Sequence, residues 1–314
     1  MPTNVMSTVD VANFHLPELS KSVRMEAQTL QRYRQFATPE IDYGPHQSDR
    51  MQFVKVTNLE DEGRRIGEND SVPVTKMGSS TFDVRWEEYT NSVQLNQRAD
   101  MVSQLCVGSI LYEALKLDAA RTLDRVAAQP FLTSNCIYTP TGNYTSKTSV
   151  VVGNGIPGAV AQRPFQMEDL RNMAEFMSTT LKVPTYGNTG EYICVCNKRF
   201  MRGLQEDPEY FEAAKYAAPD RLFSGEMGNV LGFRFIEESN VLRNMPGGGG
   251  EATFFGNDAV TELETYPLEL QVANVDTYGR VKSIRWVWMG GFASPYDIKV
   301  DNTSRIVRVA SAAA

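Results

Sequence analysis

Histidine and cysteine are scarce in this chain, which restricts the chemistry that depends on them. Its 314 residues include two histidines and four cysteines. Only Cys194 and Cys196 lie close together, and no second pair with the spacing of metal ligands accompanies them. If this segment is a strand, both thiols point to the same face. We therefore expect buried, reduced cysteines, and neither a metal site nor a cofactor.

Long apolar runs and blocks of basic residues are also missing. No segment approaches the roughly 20 apolar residues that cross a bilayer, and residues 1–14 lack the basic and apolar regions of a signal peptide. The formal net charge is −7, which disfavours a protein that reads nucleic acid. With 42% hydrophobic residues the chain is expected to fold, without export or membrane insertion, into about two domains.

The common enzyme motifs are absent too. The run Gly247–Gly250 is not followed by Lys-Ser/Thr, so it predicts a turn instead of a phosphate-binding loop. The sequence has neither Gly-x-Ser-x-Gly nor His-Glu-x-x-His. Glu113, Asp118 and Asp124 fall on a predicted helix, where a solvated or ion-paired face is expected. Catalysis by two carboxylates that meet only in the folded protein stays open, but no catalytic residue is singled out.

Helical periodicity is found in two N-terminal segments. Residues 21–36 follow Ser20, a suitable N-cap, and carry only a thin apolar stripe, so this helix needs another surface to lie on. Residues 100–131 have apolar side chains at steps of three and four, and Pro130 is expected to end the helix. Such a helix is roughly 40 Å long.

Between these helices the period changes to strict alternation. Met51–Val56 and Phe82–Trp86 read as two strands, joined by a long polar connection that spans Leu59–Gly78. So long a connection favours a projecting β-hairpin, which is marginal in water unless it rests on something else. A flexible, solvated loop is an equally good interpretation of these features alone.

The rest of the chain mixes helical and strand signals, so the predicted class is α+β. Residues 135–162 are rich in Thr, Gly, Asn and Pro and read as a connection. Helices are predicted at 165–181 and 198–204, and strands at 191–196, 232–237, 252–255, 272–278 and 281–288.

Three stretches of sequence, together with the order of the elements, carry a resemblance to a known family. They are Arg50–Leu59, Leu117–Asp124 and Leu222–Asn240. They resemble, respectively, the first hairpin strand, the long-helix motif and a turn and strand of the major capsid proteins of tailed bacteriophages with the Hong Kong 97-like fold. The chain is most similar to the coat family of N-four-type podophages, and the similarity covers about residues 16–295.

The resemblance implies a fold with four parts. Residues 1–46 would form an N-terminal arm, and residues 47–91 an extended loop that lies over an adjacent subunit. Residues 92–154 and 267–314 would form a peripheral domain, with its spine helix at about 100–131. Residues 155–266 would form an inserted axial domain, which meets its copies around five-fold and quasi-six-fold axes.

The resemblance also implies a function and partners. The chain would be a structural protein without enzymatic activity that assembles into pentamers and hexamers of an icosahedral head around double-stranded DNA. It would act in the virion after assembly in the host cytoplasm, with a separate scaffolding protein and a portal, while a decoration protein is left open. An encapsulin-type shell is the alternative within the fold, and a cytosolic α/β enzyme is the alternative from another class.

The tip of the predicted hairpin is unusually charged for this family. We expect its charged side chains to form ion pairs between subunits, although a solvated tip is nearly as consistent with the sequence. These side chains are Glu60, Asp61, Glu62, Arg64 and Arg65.

Overall fold

A computed structural model gives the fold of most of the chain. It describes residues 5–6, 32–40, 48–56, 65–66, 72, 74–103, 107–140, 150–152, 161, 163–187, 190–210, 212, 228–242, 249–276, 279–301 and 303–312.

The described residues contain both helices and strands, as predicted. The α-helices are α1 (Gln97–Val102), α2 (Val107–Thr133), α3 (Met167–Glu175), α4 (Lys198–Gln205) and α5 (Ile298–Asp301), and α3 continues into a π-helical turn, Phe176–Thr180. The strands are β1 (Val5–Met6), β2 (Thr38–Glu40), β3 (Arg50–Val56), β4 (Ser79–Arg85), β5 (Glu87–Asn96), β6 (Cys136–Tyr138), β7 (Val150–Val152), β8 (Tyr192–Cys196), β9 (Asn229–Val230), β10 (Phe233–Glu237), β11 (Glu251–Phe255), β12 (Thr261–Asn274), β13 (Val281–Ala293) and β14 (Ile306–Ala310). None of these helices combines the length and apolar character needed to cross a bilayer.

The long helix α2 packs on a five-stranded sheet. The strand order is β1-β5-β13-β12-β2, and the antiparallel pairs β5–β13 and β13–β12 form its centre. Leu115, Ala119 and Leu123 of α2 share a buried cluster with Trp286 and Trp288 of β13. The C-terminal half of the predicted apolar stripe is therefore buried on this sheet.

A seven-stranded sheet forms the second layer, in the order β7-β6-β14-β11-β8-β10-β9. Strand β8 is buried along its whole length. Its Cys194 and Cys196 join one hydrophobic cluster, whereas Ile193 and Val195 join another on the opposite face. The predicted alternation of this strand is confirmed, and it allows the sheet to support a core on both sides.

Strands β3 and β4 form the predicted hairpin. They pair antiparallel from Arg50 opposite Arg85 to Val56 opposite Ser79, as a separate two-stranded sheet. The hairpin interpretation is therefore confirmed for the described strands.

The long helix differs from its predicted limits. Helical residues begin at Gln97 and stop at Val102, and α2 then runs from Val107 to Thr133. Pro130 lies inside α2 and does not end it. A proline in the last turn of a helix removes one backbone donor, and the helix ends three residues later, where the Thr133 hydroxyl donates to the Gln129 carbonyl at 2.9 Å.

Other predicted elements are extended or replaced. The segment read as a connection contributes β6 and β7, which are too short to show a period. Strand β12 is 14 residues long and begins before the predicted 272–278, and β13 is 13 residues long and ends after the predicted 281–288. The pairing of β12 is irregular near Tyr266, so its alternation is interrupted there. Of the predicted arm helix, residues 21–31 lie outside the described residues, and its end is a 3₁₀ turn, Arg34–Phe36.

The seven-stranded sheet draws strands from widely separated parts of the chain. Strand β14 pairs with β11 on one side and with β6 on the other. The sheet thus joins segments that the sequence assigns to the peripheral and to the axial domain. The limits of these two domains stay a prediction.

Candidate assembly interface

The hairpin β3–β4 has one face on its own subunit and one face towards solvent. Phe53 and Phe82 stack with ring centroids 5.2 Å apart, in a cluster with buried Val84 and Leu263. On the outer face the side chains of Val54 and Val56 are 69% and 57% exposed. The signal in the sequence is that β3 carries two valines, Val54 and Val56, on a face whose other side chains, such as Gln52 and Thr81, are polar.

Apolar exposure continues along the described part of the connection and at the start of the long helix. Val74 is 92% exposed and Met77 is 66% exposed. Met101, which precedes α2, is 74% exposed, although the sequence placed it on the apolar stripe. Large exposed apolar side chains are one component of surfaces that bind another protein.

The predicted ion-pairing residues of the tip lie mostly beyond the part of the chain that the structure describes. Glu60, Asp61, Glu62 and Arg64 are outside it, and Arg65 is exposed. Their pairing between subunits stays a prediction.

The described end of the predicted arm, residues 32–40, is called the arm root here, and it is fixed by a buried carboxylate on the long helix. Asp124 is 2% exposed, and its Oδ1 accepts hydrogen bonds from the backbone N–H groups of Tyr33 at 2.8 Å and Arg34 at 3.2 Å. Its Oδ2 accepts from the Asn240 side chain at 3.3 Å. The expectation of a solvated or ion-paired Asp124 is wrong, because its partners are remote in sequence. Glu113 is exposed, as expected.

A second buried carboxylate closes the same junction. Glu238 accepts backbone hydrogen bonds from Asn240, from Val241 at 2.8 Å and from Leu242 at 3.0 Å. The pKa of Glu238 is raised overall, and burial is the largest cause. The hydrogen bonds from three backbone N–H groups lower this pKa, and the nearby Asp124 carboxylate raises it. Two of the stretches that carry the family resemblance therefore meet here and hold the arm root between them.

An ion pair ties the arm root to the five-stranded sheet. The Arg34 guanidinium donates to Glu262 Oε1 from Nε at 3.0 Å and from Nη2 at 2.8 Å. Next to this pair, β2 runs parallel to β12, with Thr38 opposite Thr261. Burial raises the pKa of Glu262, and Arg34 lowers it by a smaller amount.

The raised pKa of Glu262 predicts a pH dependence of stability. A carboxyl that binds its proton more tightly in the folded than in the unfolded state stabilises the fold as the pH decreases through its folded pKa. The variant Glu262→Gln keeps an oxygen that can accept both Arg34 bonds but does not titrate. We expect the free energy of unfolding of the wild type, relative to E262Q, to increase as the pH decreases from 7 to 4. Urea denaturation at both pH values measures this difference, and a constant or decreasing difference would contradict it.

The enzyme alternative requires perturbed carboxylates in a concave pocket. A cavity of about 800 Å³ lies near the arm root, lined among others by Arg125, Glu251 and Arg308. Asp124 and Glu238 are not among its lining residues, and their oxygens accept the hydrogen bonds described above. Within the described residues no group of His, Cys, Asp and Glu is arranged to hold a metal ion. These carboxylates are thus placed to fix the fold.

The described cysteines are buried free thiols, as expected. Cys136, Cys194 and Cys196 form no disulfide, and burial raises the pKa of Cys136 to about 12. Burial also raises the pKa of Cys194, so Cys136 and Cys194 are poor nucleophiles because the reactive thiolate is disfavoured.

Comparison with known proteins relates the whole fold to solved capsids. No protein-family model and no curated protein sequence matches the chain. Among solved structures, the capsid of Ralstonia phage GP4 aligns with a TM-score of 0.69 at 13% identity, over 95% of both chains. The acid-stable capsid of Helicobacter pylori bacteriophage KHP30 aligns with a TM-score of 0.68 at 12% identity, over 99% of both chains. The capsid of cyanophage Pam1 has a TM-score of 0.67 at 12% identity, over 99% of this chain and 100% of the other.

At such low identity the likeness establishes the fold and not the closer relationship. The similarity to N-four-type coat proteins stays a prediction. The alignments nevertheless run over nearly the full length of both partners, including the hairpin, the long helix and both sheets. The chain therefore has the Hong Kong 97-like fold of phage capsid proteins, as the sequence predicted.

Proposed function

We propose that this protein is the major coat subunit of a tailed phage, which assembles with itself into the pentamers and hexamers of an icosahedral head. The observation that carries this proposal is the likeness to several phage capsid structures over 95–100% of each chain. A subunit whose whole length is shared with shell proteins is most simply a shell protein itself.

The exposed apolar residues of the hairpin support the same function. A two-stranded sheet is marginal in water by itself, and Val54 and Val56 stay exposed on the otherwise polar outer face in the single subunit. A neighbouring copy that lies under or over the hairpin would cover this face. Burial of apolar area stabilises such a contact by about 25 cal/mol per Å².

The proposed contents of the shell are double-stranded DNA, held without recognition of its sequence. A net charge of −7 is compatible with a wall along which a duplex slides, since basic surfaces bind phosphate strongly. A separate scaffolding protein and a portal complete the proposed assembly in the host cytoplasm. The mature location is the virion, and the protein has no proposed catalytic role.

Light scattering of the purified protein, with electron micrographs of the same fractions, tests this function. We expect closed particles, or a series of pentamers and hexamers, when a scaffolding protein is supplied. Particles that contain an enzyme in place of DNA would favour an encapsulin-type shell. A small oligomer that stays small with scaffold present would contradict the coat function and favour an enzyme.

Charge reversal at the hairpin tip tests the proposed ion pairs between subunits. Exposed pairs contribute about 0–1 kcal/mol each, and about 1 kcal/mol per contact changes an association constant about fivefold. We therefore expect Arg64→Glu with Arg65→Glu to lower the shell yield severalfold, measured by sedimentation.

A charge-restoring variant is the control for the tip. Adding Glu60→Lys and Glu62→Lys to the double variant should recover much of the yield if the same charges pair across the contact. Full yield with the double variant alone would mean that the tip is solvated.

A further inference from the structure

Lys55 of the hairpin is held by its own subunit. Its Nζ donates to the Pro295 carbonyl at 2.7 Å and to Asp301 Oδ2 at 2.5 Å. The two side chains of this ion pair are 11% and 10% exposed. The Lys55 ammonium also lies 5.4 Å from the centre of the Tyr296 ring.

The acceptor site for Lys55 is fixed by groups outside the hairpin. Asp301 Oδ2 also accepts the Asp297 backbone N–H at 3.1 Å. The Arg305 guanidinium lies over the Tyr296 ring, 4.2 Å from the ring centre. Arg305 Nη2 also donates a hydrogen bond to the Tyr296 hydroxyl at 3.0 Å. Arg305 in turn binds Asp258 at 2.8 Å. The body of the subunit therefore presents this site whether or not the hairpin is in place.

An ion pair at this position is directional in a way that an apolar contact is not. Met51 and Phe53, on the same inner face of β3, make apolar contacts that tolerate sliding. Lys55 must meet one carbonyl and one carboxylate at hydrogen-bond distance, and a buried charge that loses its partner is strongly unfavourable. Of the β3 residues that face inward, Lys55 also lies nearest to the tip of the hairpin.

We propose that the Lys55–Asp301 pair is an orienting latch, which holds the hairpin at a set angle to its own subunit before a second copy binds. The outer face with Val54 and Val56 is then presented in one orientation. The role in assembly rests on the proposed coat function, whereas the latch itself is a property of the single subunit. Pre-organisation of a binding segment lowers the entropy lost on association.

Hydrogen exchange on the unassembled subunit tests the latch directly. We expect Lys55→Met and Asp301→Asn to speed exchange in residues 50–56 and 79–85 at least about tenfold, with no change in residues 192–196. Lys55→Arg should restore most of the protection. Lys198→Met is the matched control, because its pair with Glu237 is exposed and 3.4 Å long. Unchanged exchange in the hairpin, or an equal increase in β8, would overturn the latch.

Assembly kinetics separate the latch from the proposed function. If the wild type forms shells, we expect K55M and D301N to assemble about tenfold more slowly by light scattering, with K55R and Lys198→Met close to wild type. A looser hairpin with an unchanged assembly rate would overturn the orienting role and leave the coat function intact. Failure of the wild type to assemble with scaffold would contradict the coat function, while the exchange result would still decide whether the latch exists.

Discussion

Replacing Gly291 by alanine is expected to displace the hairpin and prevent normal shell formation. A Cβ at this position would lie 1.8 Å from the Arg85 carbonyl oxygen and 2.9 Å from its carbon, at the junction between hairpin and sheet. These are backbone atoms, so no side-chain rotation relieves the clash. Inserting a methyl group into such a contact costs about 1–3 kcal/mol. We expect a loss of about 2 kcal/mol in urea denaturation and few closed particles in micrographs.

Gly108→Ala is the control for this variant. Gly108 lies in α2, and a Cβ there would have no neighbour within 4 Å. Alanine is about 1 kcal/mol better than glycine inside a helix, so G108A should be at least as stable as the wild type. A normal yield of shells from G291A would show that the hairpin junction does not govern assembly.

Replacing Asp124 by alanine is expected to release the arm root. The change leaves the backbone N–H groups of Tyr33 and Arg34 without their buried acceptor. Each unsatisfied buried donor costs about 1–3 kcal/mol, while relief of the repulsion with Glu238 offsets a part of that loss. We expect about 3 kcal/mol of destabilisation in urea, together with faster hydrogen exchange in residues 33–40.

Two further variants on the same helix are controls for Asp124→Ala. Asp124→Asn keeps an oxygen that can accept both backbone donors and should lose much less stability. Glu113→Ala removes an exposed carboxylate and should be nearly neutral. If Glu113→Ala were as harmful as Asp124→Ala, the effect would belong to the helix and not to the arm root.

Elements with a clear local period could be predicted from the sequence. Strand β8 is an example, because Cys194 and Cys196 enter one core and Ile193 and Val195 the other. The start of α3 is another: the predicted helix 165–181 begins at Met167, where the Gln166 backbone N–H donates to Asp169 Oδ2 at 3.1 Å. The residues that carry these signals lie within a few positions of each other, so the signals can be recognised in the sequence without knowledge of the fold.

Features that depend on remote partners could not be predicted. Asp124 looks like any helical surface carboxylate until Tyr33 and Asn240 are brought to it. The predicted turn at Gly247–Gly250 gave no hint of why Gly250 is needed: a Cβ there would lie 2.3 Å from the Phe200 backbone nitrogen. Both cases are set by contacts between segments far apart in the chain.

The candidate interface was only partly readable. The sequence predicted the hairpin and its charged tip. Of the predicted tip residues, only Arg65 is among those that the structure describes. The sequence did not distinguish Lys55, which faces the body, from a solvated lysine. The orientation of the hairpin relative to the rest of the subunit depends on the angle at which its strands leave the sheet. Alternation of side chains along β3 carries no information about that angle.

The position of β14 has a consequence for synthesis of the protein on the ribosome. This strand lies between β6 and β11, although about 50 residues separate it from β11 and far more from β6. The seven-stranded sheet cannot close until residue 310 has left the ribosome exit tunnel. At roughly 5–20 residues per second, the earlier strands wait for seconds with the backbone N–H and C=O groups of their edges unpaired. An incomplete nascent chain therefore lacks the finished seven-stranded sheet, so the proposed assembly would begin only after this last strand has been synthesised.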